Sequence, residues 1–457
     1  MAGIGFELRR LLKEESLGSL IRVYAYSALL SAGPWVISIL AILAIGFIQI
    51  LHFEATDATI RFQIIVTYAF ALAATLIVSG FVQLPFTRFV ADIIFQRRHD
   101  EVLGNYFGVL TVLWLIGLPF VYLLSLWLLP ESSLLQRLLL GATFLTLSAV
   151  WIANTLVSSL KYYKGLVYSY AIVYGLIIIS AYFFGNDLNH MLFVFFAGNV
   201  LLLTIMTLMI IRAYPSRRWV LFSFFNRKKF YYSLGFAGFF YNLGTWVDKF
   251  IFWYHPLTGE AILGNIHASI VYDIPVFLAY LSIVPGMAIF FYRLETDFAE
   301  QYDLFYSHVR ERGTLEEIRR YHDGIIRTAR QAIREILAIQ AIVDLFLYLI
   351  TPWLFSLLKI PLLYHTLFSI LMVGALLQLG LISVLALLFY LDRRREAMWL
   401  ALIFFLLNTF LTLGTIYLGP ATYGYGYALS LLATFILSLA VLKRTLERLD
   451  YETFMLQ

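Results

Sequence analysis

The sequence predicts an all-α integral membrane protein of about twelve transmembrane helices, arranged as two pseudo-symmetric six-helix lobes with both termini in the cytoplasm. Three observations predict it. Of 457 residues, 61% are hydrophobic and 13% charged, and mean hydropathy is +0.83, whereas soluble domains average roughly 45–50% apolar and about 25% charged. Apolar runs of about twenty residues recur along the whole chain, the length that crosses roughly 30 Å of hydrocarbon as a helix. Lys and Arg, finally, fall almost entirely in alternate connecting segments. Lipid offers the backbone no hydrogen-bond partners, so spans must be helices or a closed barrel. The runs are continuous rather than alternating in polarity, which excludes the barrel.

Taken in order, residues 1–20 predict a short amphipathic helix in the inner-leaflet interface, with Ile4, Leu8, Leu11 and Leu12 opposite Arg9, Arg10 and Lys13. The apolar run that follows is too long for a cleavable signal. Spans are expected near 22–51, 62–94, 103–129, 135–160, 165–185 and 190–211, forming a first lobe over 21–212. A basic cytoplasmic connector covers 213–229. The second lobe, 230–457, holds spans near 230–254, 261–292, 333–351, 362–391, 397–418 and 421–442. Between its second and third spans, 295–334 predicts two cytoplasmic amphipathic helices, the second opened by a Thr314 to Glu317 capping box. Gly33-Pro-Trp-Val36 matches Gly244-Thr-Trp-Val247, each in the first span of its half, which favours a parallel repeat.

Twelve spans place 29 of the 33 basic residues on one side, three (Arg61, Arg137, Lys359) on the other, and Lys249 inside a span. Positive charge gathers on the cytoplasmic side, which orients the chain. The net charge of +5 is therefore topology and no nucleic-acid footprint. Zero cysteines exclude disulfides, thiolate catalysis and thiolate metal sites.

No catalytic domain fits the connecting segments, and no GxxxxGK[ST] phosphate loop is present. Direct ATP hydrolysis is excluded. The enzyme class that survives, a multi-spanning glycosyltransferase, would rest on Glu54 and Asp57 in the first outer loop, where two solvated loop charges are the simpler account. No catalytic residue, metal site or organic cofactor is expected; a coupling ion, H+ or Na+, is left unassigned.

Ionisable groups at membrane depth are costly and mark functional candidates. Asp248, Lys249, Asp273 and Asp344 are of this kind, with Trp246, Asn242 and Gln340 beside them on the helical wheel. Adjacent residues point about 100° apart on a helix, so Asp248 and Lys249 are expected to face different partners. They serve either as a cavity-lining contact or as an interhelical ion pair. Asn265, Ser269 and Asp273 form one stripe of the eighth span, and Gln340 and Asp344 another of the ninth, each lining a passage or joining helices. Gly33, Pro34, Pro275, Pro285 and Gly286 are hinge candidates, because proline removes a backbone bond. Phe298, Phe305, Ile318, Arg319 and Arg320 are candidates for docking a partner at the cytoplasmic face, with anionic lipid as the alternative.

The opening MAGIGFELRR, followed by SAGPWV over 31–36, closely resembles the start of the PelG family. These are transport subunits of Pel exopolysaccharide machinery within the superfamily of multidrug, oligosaccharidyl-lipid and polysaccharide exporters. The resemblance implies a twelve-helix, two-lobe transporter of the inner membrane. It also implies a partly deacetylated, amino-sugar-rich cargo made by a cytoplasmic glycosyltransferase, PelF, for the biofilm matrix, and the membrane partners PelD and PelE. Competing readings are a cation-coupled flippase of lipid-linked oligosaccharide, a small-molecule antiporter, and a non-transporting anchor that activates the glycosyltransferase.

Overall fold

A computed structural model describes residues 17–455 apart from 55, 76–78, 161, 186, 227–229, 312 and 358. The expected interfacial helix of residues 1–20 falls almost wholly outside them. Among the described residues, ten helical stretches are long and apolar enough to cross a membrane. The other two expected spans fall on α2 (Thr56–Thr75) with α3 (Ser79–Phe95), and on α8 (Tyr232–Tyr254), which carries the buried charges Asp248 and Lys249.

The chain forms two compact units, Pro34–Ile270 and Met1–Gly33 with Val271–Gln457. Their borders lie at Gly33/Pro34 and Ile270/Val271 rather than at the connector. The first border falls inside one helix, α1 (Leu17–Phe53), at the glycine and proline singled out as a hinge.

The Pro34–Ile270 unit is built around α5 (Leu134–Ser159), the most buried of the ten apolar helices. Its start is set by Ser133, whose hydroxyl accepts the Gln136 N–H at 3.3 Å, satisfying one of the donors a helix leaves free. Packed with it are α4 (Asp100–Leu128), α6 (Tyr163–Phe184) and α7 (Leu188–Ala213). The connector is strapped to α4. Leu221 donates its N–H to Gly104 O (2.8 Å), Phe224 donates to Asn105 Oδ1 (3.0 Å), and the Phe224 ring meets Phe86 edge-on at 5.3 Å.

Helix α8 belongs to this unit because glycines let it lie against α3. A Cβ on Gly238 would run into Gly80 O, and one on Gly235 would come within 2.9 Å of Phe81 O. Small residues at a helix crossing bring backbones close where lipid supplies no hydrophobic drive.

After α8 comes an antiparallel hairpin, β1 (Glu260–Leu263) and β2 (Ile266–Ala268), where the sequence reads as the start of the eighth span. Gly264 turns it at φ +57°, a left-handed conformation that costs glycine nothing. Asn265 then caps the end of α4, its N–H donating to Leu128 O (2.8 Å) and its amide to Trp127 O (2.7 Å). The expected helical stripe Asn265, Ser269, Asp273 does not form, because helix begins only at Ile270.

The other unit holds α9 (Ile270–Ser282, continuing from the border), α10 (Val284–Arg293), a π-turn over Leu294–Phe298, α11 (Ala299–Arg310) and α12 (Leu315–Leu357). Then come α13 (His365–Tyr390), α14 (Arg394–Leu418), α15 (Tyr425–Glu447) and the short α16 (Leu449–Met455). The capping box forms as expected. Thr314 N–H donates to Glu317 Oε2 at 2.8 Å, and Glu317 N–H to Thr314 Oγ1 at 3.3 Å. The Thr314 N–H, and then its hydroxyl donating to the same Glu317 Oε2 at 2.9 Å, hold the Glu317 carboxyl below its ordinary range.

The 43 residues of α12 amount to about 65 Å of helix at 1.5 Å per residue, twice what the hydrocarbon needs. Its first half therefore stands outside the membrane. There Ile318 and Ile325 are buried, as are Phe298 and Phe305 on the preceding segment.

Candidate functional site

Two buried polar constellations occupy membrane-spanning helices, one in each unit. In the Pro34–Ile270 unit, Asp248 and Lys249 on α8 are 0% and 3% exposed. They face each other. Lys249 Nζ lies 3.1 and 3.2 Å from the Asp248 carboxylate oxygens and donates to Thr245 O at 2.8 Å. This corrects the expectation that adjacent positions diverge, since the four-carbon lysine stem is long enough to fold back over its own turn. The ammonium also sits 6.0 Å from the centre of the Trp246 ring, within range of cation–π attraction. Asn242 is half-buried one turn before Trp246, where its amide lies against Gly80 of α3.

The same unit carries an aromatic cluster that the sequence does not single out. Tyr68 stacks on Trp253 at 4.6 Å, donates to His267 O at 2.7 Å and accepts the His267 N–H at 2.9 Å. Tyr68 is one tyrosine among 30, so only the hairpin that meets it could have marked it out.

In the Val271–Gln457 unit, Pro285 ends α9 and opens α10, and Gln340 of α12 fills the gap. Its Nε2 donates to Ser282 O (2.9 Å) and Asp344 Oδ1 (2.7 Å), and its Oε1 accepts the Gly286 N–H (3.2 Å). Gln340 is fully buried. A continuous helix would pair Gly286 N–H with Ser282 O; the amide side chain substitutes for that bond. Gly286 must be glycine for the approach, because a Cβ there would lie 2.6 Å from Gln340 Oε1 and run into Leu379.

Asp344 is 8% exposed. Its second oxygen, Oδ2, is buried without a hydrogen-bond partner among the described residues, the neighbouring Ser282 hydroxyl being turned to Ala279 O (2.8 Å). A carboxylate oxygen left this way bears the cost of burial without a compensating hydrogen bond. Asp273 lies half-buried in the first turn of α9, and Pro275 is buried within that helix.

The same unit has polar groups missed by the sequence reading. The Tyr427 hydroxyl donates to Gln378 Oε1, and Thr412 pairs with Asn408 at 3.0 Å, all four buried. Gln378 and Asn408, each set in a long apolar run, were the available signal.

The remaining candidates are placed differently from expectation. Phe298, Phe305 and Ile318 are spent on packing within their own unit and offer no apolar docking face, whereas Arg319 and Arg320 are exposed. Phe305 packs near His322 at 6.2 Å and Phe298 meets Tyr390 edge-on at 5.6 Å. Asp57 is paired with Arg61 at 3.0 Å on the first turns of α2, a surface ion pair rather than half of a carboxylate pair. Among the described residues, no group of His, Cys, Asp and Glu forms a metal-binding cluster.

Solved structures similar to this fold are transporters. A MATE protein crystallised in the bent conformation aligns over 99% of this chain and 100% of its own, at TM-score 0.62 and 13% identity. A MOP superfamily transporter from Pyrococcus furiosus Vc1 (DSM3638), described by a reversed polarity of its binding pocket, aligns over 94% and 96% at TM-score 0.61 and 14% identity. An outward-facing multidrug resistance MATE family transporter covers 93% and 96% at 0.60 and 14%. At such identities the likeness is one of fold. No curated protein matches the chain. The sequence itself, over residues 1–454, matches the model of the PelG family, "Putative exopolysaccharide Exporter (EPS-E)". A helical multi-pass chain with a transporter fold and charges sequestered at membrane depth is thus a membrane transporter rather than an enzyme, and it belongs to the PelG family of exopolysaccharide exporters.

Proposed function

We propose that the protein carries the Pel exopolysaccharide across the bacterial inner membrane for the biofilm matrix. The observation that carries this reading is the family match, which runs over residues 1–454 and so takes in both units. In this reading the glycan is made by a cytoplasmic glycosyltransferase of the PelF kind, and PelD and PelE accompany the transporter in the membrane. Buried carboxylates at Asp248 and Asp344, against one buried lysine, suit a neutral or weakly cationic amino-sugar glycan better than an anionic one. Asp344 is the coupling group of this proposal, taking up H+ or Na+ at its unpartnered oxygen.

The test is reconstitution of the purified protein with its glycosyltransferase in vesicles supplied with nucleotide sugar on the synthase side. Polymer should accumulate on the opposite side. Polymer found only on the synthase side, with the transporter folded and correctly oriented, would overturn the proposal.

A further inference from the structure

Helix α12 carries arginines on the face it leaves uncovered. Arg327, Arg330 and Arg334 are exposed, and none of them is ion-paired among the described residues, in contrast to Arg293, whose guanidinium lies 2.6 Å from Glu335 Oε2. At about 100° per residue, Arg327 and Arg334 are separated by two turns and stand within about 20° of each other, with Arg330 about 40° from Arg334 and about 60° from Arg327. The acidic residues of that face, Glu316 and Asp323, lie farther from the membrane than Arg327.

Followed in the other direction, the same face becomes apolar. Leu345, about 20° from Arg334 and roughly 16 Å along the axis, is 61% exposed, and Ile342 and Leu349 beside it are 66% and 68% exposed. Exposed leucine and isoleucine in a membrane-spanning stretch meet acyl chains. Because α12 is one unbroken helix, the arginines sit directly above that ridge, in the headgroup layer of the inner leaflet.

The geometry points to a binding site for an anionic phospholipid, its phosphate held by Arg327, Arg330 and Arg334 and its acyl chains lying along Ile342, Leu345 and Leu349. Three clustered positive charges at this level attract an anionic headgroup, each by about 1 kcal/mol. An acidic protein is the less favoured occupant, because the three cations stand within about 10 Å of the apolar boundary, where lipid headgroups already are. Arg319 and Arg320 stand about 20 Å beyond it and lie outside the lipid site.

The full-length protein, purified in detergent, would be offered phosphatidylglycerol or phosphatidylcholine and its retained lipid counted by native mass spectrometry. Wild type should retain phosphatidylglycerol in preference. Retention should fall about fivefold for each arginine removed, through R330Q to R327Q/R330Q/R334Q, and be kept by R327K/R330K/R334K and by R319Q/R320Q. Should the triple variant fail to elute as a folded species, the fivefold fall in R330Q decides alone. Equal retention of both lipids by wild type, or undiminished phosphatidylglycerol retention in folded variants, would overturn the proposal. So would displacement of the lipid by millimolar inorganic phosphate, which would make the site one for free phosphate. Binding of a glutamate-rich peptide that the triple variant loses while keeping the lipid would assign the face to an acidic protein instead.

Discussion

The Gly286 N–H donates to Gln340 Oε1 at 3.2 Å, across 54 residues of sequence, while Gln340 Nε2 donates to Ser282 O at 2.9 Å. The side chain thus bridges both halves of a backbone bond that the break at Pro285 leaves open. Removing it with Gln340→Leu orphans a buried donor and a buried acceptor. We expect a loss of about 1–3 kcal/mol, seen as a lower thermal unfolding midpoint in detergent. Gly286→Val should cost a similar amount by collision with Gln340 and Leu379. An unchanged midpoint in both variants would show that the bridge contributes nothing.

Asp344 makes a separable prediction. Asp344→Asn keeps an oxygen for the Gln340 amide but cannot ionise. If this residue couples ion movement to transport, gradient-driven polymer movement in vesicles should fall at least about fivefold, the lower end of ordinary coupling free energies, at normal protein level. The same variant should lose any dependence of transport on the imposed H+ or Na+ gradient. Full gradient-driven transport by Asp344→Asn would remove the residue from the coupling scheme.

The Asp248–Lys249 pair predicts strong non-additivity. Asp248→Asn strands a buried ammonium, at a cost of about 3–5 kcal/mol, whereas Asp248→Asn with Lys249→Gln removes both charges and should recover most of the loss. Expression level and unfolding midpoint across the four members of this cycle measure the coupling. Additive losses would mean that the two side chains act independently despite their 3.1 Å separation.

Much of this architecture was legible because span length and charge asymmetry are one-dimensional signals. The apolar runs and the Thr314 capping box needed no tertiary information. The 260–268 hairpin reads as helix from sequence because Ala261, Ile262 and Leu263 look like the opening of an apolar span; Gly264-Asn265, a common hairpin turn, is the overlooked sign. The seating of α8 on α3 depends on Gly80 and Gly238 meeting across more than 150 residues, which spacing within one helix does not reveal. Pro285 announces a missing backbone bond, but that Gln340 replaces it is a matter of packing. Helical-wheel reasoning failed at Asp248 and Lys249 for a different reason, since it assigns directions to Cβ atoms and ignores the reach of a long side chain.

The start of α12 should loosen in acid, and the sign follows from Glu317. Its carboxyl is held below the ordinary value of 4.5 by the Thr314 N–H and hydroxyl, so the folded helix prefers the ionised form more than the unfolded chain does. The stabilisation is fully present above the ordinary glutamate value and is lost as pH falls through the lower, folded value. The amides of Thr314, Glu317 and Ile318, hydrogen-bonded in the cap and corrected for intrinsic exchange, should therefore lose hydrogen-exchange protection below about pH 4. Glu317→Gln should remove that dependence, and Thr314→Ala should weaken protection at every pH by about 1 kcal/mol. Protection that stays flat with pH in wild type, while Thr314→Ala still weakens it, would assign the whole cap to the threonine hydroxyl and none of it to the carboxylate.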